Sequence, residues 1–253
     1  ELIGWIEYGG GRKLLEKIFR SLNLNIISFF AMPSPAQPLG WFEEHINKIS
    51  KIKDVEYRTS GVVTDVLSAM GFVVRKLPED KTETETPMER DLIEGREFNN
   101  PTLDKEFGMQ EISKHYHLGS YYKSIGVFEL EFNRTKFNNL EPHHRAILKY
   151  ATESVNSDNY WKAIQKYSTD LVKLMNDHQV NVHKTSDEIL RAQLKAWDIV
   201  LAEKMNDPLF KKIVESQKAY CKKVMKYLFM NQPDYQLAYE HAFAEPSKVK
   251  IDL

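Results

Sequence analysis

The stretch Val55-Glu56-Tyr57-Arg58-Thr59-Ser60-Gly61, continuing through Val62 to Met70 and Gly71 into Phe72-Val73-Val74, decides the fold. Val55 to Arg58 reads as a short strand, Gly61 to Met70 as a helix that ends at Gly71, and Phe72 to Val74 as the next strand. Strand and helix alternating with short connections are the signature of a parallel α/β sheet covered by helices.

Upstream, Gly9-Gly10-Gly11 opens a helix with Leu14, Leu15, Ile18 and Phe19 on one face. Leu24 to Phe30 reads as a strand, broken by Pro33, Pro35 and Pro38, and Trp41 to Ile49 carries a helix pattern. Downstream, the polar acidic run Glu79 to Thr86 is a surface loop and Met88 to Gly95 is helix-like. Arg96-Glu97-Phe98 ends a strand and leads into the turn Asn99-Asn100-Pro101. Further short strands are expected at Tyr116 to Leu118 and Val127 to Phe132. From Glu141 onward the pattern is helical. Pro142 fits a first turn running on towards Leu174, Ser186-Asp187-Glu188 starts a second helix, Asp207-Pro208 a third ending near Met230, and Asp234 a short last one. An α/β front followed by a helical tail results.

The chain has 253 residues, which at about 150 per domain suggests one or two domains. Lys and Arg number 35 against 36 Asp and Glu, a net charge of −1, so no basic excess is available for a nucleic-acid surface. With 42% hydrophobic and 28% charged residues, disorder as the main state is excluded. No apolar run approaches the roughly 18 residues of a membrane span. The single cysteine, Cys221, cannot form an intrachain disulfide. The start, Glu1-Leu2-Ile3-Gly4-Trp5, lacks a basic n-region and reads as a mature or truncated chain.

Several constellations could carry chemistry. The glycine run lacks the third glycine of a dinucleotide fingerprint and the Gly-Lys-Ser/Thr of a P-loop, so it is read as a helix entry. His115 and His117 share a strand face, but no third ligand is spaced to join them in a zinc site. Glu129 and Glu131 alternate with Phe128, Leu130 and Phe132 as in a half-solvated strand. No Gly-x-Ser-x-Gly turn exists, and Cys221 sits among lysines with no histidine near it in sequence. Arg58 stands apart, because it lies at the carboxyl end of a strand and just before a helix, where open α/β sheets bind ligands. A guanidinium there can hold a carboxylate bidentately. Gln37 follows one strand on the same rim, and Glu97 and Phe98 end another. An amide, a guanidinium and a carboxylate thus converge on a pocket for a carboxylate and a cation.

At these residues the chain resembles the solute-binding proteins of tripartite ATP-independent periplasmic (TRAP) transporters, in the branch that takes 2-oxo and 2-hydroxy monocarboxylates. The matching stretches are Trp5-Ile6-Glu7-Tyr8-Gly9-Gly10-Gly11, the segment from Pro35 through Gln37 to Trp41-Phe42, Tyr57-Arg58-Thr59-Ser60-Gly61, Glu94-Gly95-Arg96-Glu97-Phe98-Asn99-Asn100-Pro101, and the tail Leu228 to Tyr235. The resemblance implies a two-lobed α/β clamshell of the periplasmic-binding-protein type with a C-terminal helical region. Residues 1–23 would be a remnant of the first lobe, 24–97 the second α/β lobe, and 98–253 the return to the first lobe with hinge and C-terminal helices. It implies capture of a small organic carboxylate in the interlobe cleft, in the periplasm, for delivery to membrane permease subunits, without catalysis.

The substrate-binding residues would be Arg58, Gln37, Phe98, Asn99 and Lys123. Gln37, Glu97 and the backbone of Phe98 would hold a sodium or calcium ion bridging protein and ligand, as all-oxygen ligation of a hard cation allows. A homodimer through the C-terminal helices is implied as well.

Departures from the family pattern are visible. Family members carry a strand-helix region ahead of the Trp5 segment. Lys123 stands where a glutamine is usual, and either repels the cation or replaces it with its own charge. Glu79 to Thr86 replaces a partly apolar turn. Arg96 stands where a small residue is usual, and either pairs with Glu97 or points to solvent. Two rival functions are a sensing module for a signalling partner and a metal-assisted enzyme acting on 2-oxo acids through His115, His117 and Glu129.

Overall fold

The computed structural model describes residues 1–59, 61, 63–76 and 93–243. Its strands are β1 (Ile26–Ser34), β2 (Gly40–Phe42), β3 (Glu56–Thr59), β4 (Val73–Lys76), β5 (Gly95–Arg96), β6 (His115–Leu118), β7 (Gly126–Asn133) and β8 (Asn181–Lys184). The long helices are Pro142–Asp177, Asp187–Lys204 and Pro208–Asn231. Two compact units emerge. One holds Ala31–Phe128 and Tyr150–Glu203. The other holds Glu1–Phe30, Glu129–Lys149 and residues 204–243.

Trp41 and Phe42 are neighbours in β2 and point to opposite faces, as strand geometry requires, and both are fully buried. Phe42 joins Tyr57, Phe72, Ile52, Val66 and Leu67 in the larger core, closed over by Ile189, Ala196 and Val200 of Asp187–Lys204. Trp41 stacks on Tyr116 with ring centroids 4.1 Å apart and packs with Leu174 and Val180 on the other face. The helix Val63–Met70 buries Val63, Val66, Leu67 and Met70, the i, i+3, i+4, i+7 stripe of an amphipathic helix.

The main sheet has the order β4-β3-β5-β2-β6-β8. β3 runs parallel to β4 and β5, and β6 parallel to β8, but β2 is antiparallel to both β5 and β6. The expected parallel sheet is therefore a mixed one. The helix expected over Trp41 to Ile49 is replaced by β2, an irregular segment and a 3-10 turn at Ile49–Lys51. Trp41 and Phe42 serve two cores at once, which a helix face cannot do.

Gly40, at φ +140°, makes this junction possible, since a Cβ there would collide with the Arg96 carbonyl oxygen and stand 2.6 Å from the Tyr57 hydroxyl. Gly95, expected to end a helix, instead opens β5. The acidic loop over Glu79 to Thr86 and the helix-like stretch from Met88 to Leu92 lie outside the described residues.

β1 pairs with β7 in a separate two-stranded sheet. It runs through Pro33 to Ser34 where a break was expected, because each strand of such a sheet has an unpaired edge that tolerates a missing N–H. In β7, Phe128 and Leu130 are exposed and Glu129 half-buried, the reverse of an apolar-in pattern.

The smaller unit is built on Trp5, Ile6 and Leu14, packed with Ile213 and Tyr220. The indole N–H of Trp5 donates to the Ser216 hydroxyl at 3.1 Å. Gly10, at φ +88°, is the N-cap of Gly11–Ser21, so the glycine run is a helix entry in the structure too.

Candidate functional site

Sheet register sends four predicted residues to one end of the larger unit. Arg58 and Thr59 close β3, and Glu97 follows the parallel β5. β2 is antiparallel to β5, so the segment leading into it, with Gln37, arrives at that same end. β6 is antiparallel to β2, so the residues after Leu118, with Lys123, leave there as well. This is the rim where open sheets hold ligands.

Hydrogen bonds tie the rim together. The Gln37 N–H donates to the Lys123 carbonyl at 3.0 Å, and the Glu97 N–H to the Arg58 carbonyl at 3.5 Å. The Glu97 side chain is only 5% exposed, and its carboxylate accepts from Thr59 Oγ1 at 2.9 Å. Lys123 Nζ lies 3.1 Å from Glu97 Oε1 and 3.4 Å from Oε2. Gln37 Oε1 is buried with no hydrogen-bond partner among the described residues. The buried hydroxyls of Tyr57 and Tyr122 donate to the Leu39 and Pro38 carbonyls, which fixes the segment that carries Gln37. Burial pushes both phenols well above their ordinary pKa. Arg58 is half-buried.

Phe98 and Asn99 continue from Glu97. Phe98 packs on Phe107 with centroids 4.6 Å apart. The Asn99 N–H donates to Asp104 Oδ1 at 2.9 Å, and its side-chain oxygen accepts from Asn100 Nδ2 at 2.8 Å. Asn100 caps Pro101–Glu106, accepting from the Thr102 and Leu103 N–H groups.

Asp104 organises this loop. It is fully buried and also accepts from the Asn100 N–H at 3.1 Å, the Trp41 indole at 2.9 Å and the Tyr116 hydroxyl at 2.8 Å. Burial raises its carboxyl pKa above the ordinary value, although all four donors pull it down. Neither Asp104 nor Thr59 stood out in the sequence. Thr59 sits within the quoted strand end, whereas Asp104 offers no local signal.

Arg96 departs from one of its two expected placements. It is 1% exposed and donates from Nη2 to the Ile93 carbonyl at 2.7 Å, so it does not point to solvent. Among other aromatics, Trp5 belongs to the smaller unit's core, Tyr122 is buried, and Tyr8 and Tyr121 are exposed.

A second cluster overturns the expectation that His115 and His117 lack a third ligand. His45 and His183 join them, and one nitrogen each from His45, His115 and His183 lies within 4.8 Å of the others. His117 is fully buried, its Nε2 accepts from the Ile46 N–H at 3.3 Å, and its pKa is lowered to about 3 by burial and by its histidine neighbours. These residues are far apart in sequence, and only the β2-β6-β8 neighbourhood unites them.

The chain is similar to known proteins. The chain is 26% identical over 234 residues to a monocarboxylate 2-oxoacid-binding periplasmic protein of Nostoc sp., an alignment covering 92% of this chain and 63% of that relative's length. A TRAP periplasmic solute-binding protein from Pseudoalteromonas atlantica, solved with bound sodium and pyruvate, superposes with a TM-score of 0.78 at 25% identity, over 95% of this chain and 71% of that one. Another from Bordetella bronchiseptica, a mixed-occupancy dimer with calcium and picolinate, gives a TM-score of 0.81 at 20% identity, over 95% and 70%. No helix among the described residues is long and apolar enough to cross a membrane. The family model for bacterial extracellular solute-binding proteins, family 7, matches residues 4–227, and the chain belongs to that family.

Proposed function

We propose that this chain is the ligand-capturing subunit of a TRAP-type secondary transporter, working in the periplasm and handing a small 2-oxo or 2-hydroxy monocarboxylate to membrane permease subunits. The observation that carries the reading is the convergence of Gln37, Arg58, Glu97 and Lys123 at one end of the sheet, linked by the Lys123–Glu97 ion pair. Arg58 supplies a planar, permanently charged fork for a carboxylate, and Lys123 a second positive charge. Phe98 and Asn99 flank them with an apolar face and a polar edge. The names of the Nostoc and Pseudoalteromonas relatives support the substrate class. Nothing in this arrangement asks for a nucleophile, so the role is binding without turnover.

The oxygens of Gln37 and Glu97 suit a sodium or calcium ion, and Gln37 Oε1 is an acceptor in need of a partner. Those two side chains and the Phe98 carbonyl would hold the ion, which would supply positive charge to a bound carboxylate. Lys123 competes for the same Glu97 oxygens, so this chain needs less help from an ion than a site without the lysine.

Calorimetric titration with pyruvate tests the reading. Arg58→Ala should weaken binding by about 2–5 kcal/mol, the usual cost of removing one partner from a buried charge-assisted pair. Unchanged affinity in that variant, or measurable turnover of the ligand, overturns it.

We also propose a homodimer formed through the C-terminal helices. Tyr235, Tyr239 and Phe243 recur every fourth residue along Tyr235–Phe243 and are each more than half exposed, as are Phe229 and Met230 just upstream.

A further inference from the structure

The geometry points to a second cation site in the larger unit: His45, His115 and His183 bind one divalent ion of the zinc class through three imidazole nitrogens. The inference is independent of carboxylate capture, since Phe42 pairs with His115 at the other end of β2 from the Gln37 segment.

Three separate elements supply the ligands. His115 opens β6, His183 lies in the neighbouring parallel strand β8, and His45 comes from the irregular segment that follows β2. His115 Nδ1 and His183 Nε2 are 3.0 Å apart, and the His45 and His183 rings stand 3.9 Å apart. Three nitrogens around a tetrahedral zinc at about 2.0–2.1 Å must sit roughly 3.4 Å from one another. A spread of at most 4.8 Å is brought to that value by small side-chain rotations. All three histidines are part-exposed, which leaves an entry path and a fourth position for water.

The surroundings favour metal over a simple histidine stack. His45 Nδ1 is buried without a hydrogen-bond partner among the described residues, a polar atom that calls for one. His117 forms the back wall, 4.8 Å from the His183 ring and 5.2 Å from that of His45. Its Nε2 is engaged by the Ile46 N–H, and its Nδ1, buried without a partner among the described residues, lies outside the nitrogen triplet of His45, His115 and His183. Lys51 lies close by, with Nζ 3.1 Å from the His45 carbonyl, but the Glu44 carboxylate 3.7 Å away offsets its charge. An all-nitrogen donor set selects zinc, copper, nickel or cobalt over calcium and sodium, which prefer oxygen.

The test uses the full chain without a polyhistidine tag, stripped with a chelator and titrated with zinc chloride alone. One zinc per chain should bind and raise the melting temperature. His183→Gln and His45→Gln should each weaken binding by about tenfold or more. The His45 variant decides should the strand substitution unfold, because His45 lies outside regular structure. His143 and His144, an adjacent ring pair at the start of Pro142–Asp177, serve as the control, and their Gln variants should bind as the parent does. The proposal is overturned by absence of saturable zinc binding, by binding that survives His45→Gln, or by binding that follows His143 and His144.

Discussion

The Glu97 carboxyl group sits with almost none of its side chain in water, and its contacts with Lys123 and Thr59 are what make that tolerable. Lys123→Gln removes the ammonium and puts an amide in its place. The variant should lose about 2–3 kcal/mol of stability in metal-free buffer, because a buried carboxylate is left short of a charged partner. Calcium should then recover it, raising the variant's melting temperature well beyond any shift in the parent. Equal calcium responses in the two proteins would show that lysine and ion do not compete for Glu97.

At the scale of elements, the junction of β2 with β5 carries the site, since the Trp41–Arg96 register sets where Glu97 emerges. Gly40→Ala tests it. A side chain at φ +140°, pressed on the Arg96 carbonyl, should cost about 2–4 kcal/mol in chemical denaturation, from backbone strain and overpacking together. Retention of parental stability would mean that the two strands do not meet at that register.

The same junction marks the limit of what the residues disclose in one dimension. β3, Val63–Met70, β4 and the long C-terminal helices are visible as periodicities of two and 3.6 that a single buried face imposes. β2 is not visible, because three residues buried on both sides show no alternation and Trp41-Phe42 fits a helical stripe equally well. β8, Asn-Val-His-Lys, is too polar and short to stand out, yet it is a sheet edge where polar residues are at ease. For the candidate site, Gln37, Arg58 and Glu97 stand out because they lie at or just after strand ends, whereas Lys123 enters only through the family resemblance. Asp104 and the His45–His183 pairing cannot, because each depends on contacts between residues more than sixty positions apart.

For the whole molecule, the C-terminal helix matters most. A nine-residue helix with no buried residue gains little stability by itself, and the proposed dimer would cover its aromatic row. Light scattering coupled to gel filtration should report a dimer for the parent. A Tyr235→Asp, Tyr239→Asp double variant should elute as a monomer with its fold intact by circular dichroism. A parent that is monomeric at high concentration, or a double variant that still dimerises, refutes this interface.

Asp104 joins what lies beneath the rim to what lies on it: one oxygen takes the Trp41 and Tyr116 side chains, the other the amides of Asn99 and Asn100. Robustness and recognition therefore share a single rivet. Any repacking around Leu174 that tilts the indole should be transmitted to Asn99 on the rim, so that under the proposed function altered selectivity would arise from substitutions that never come near a ligand.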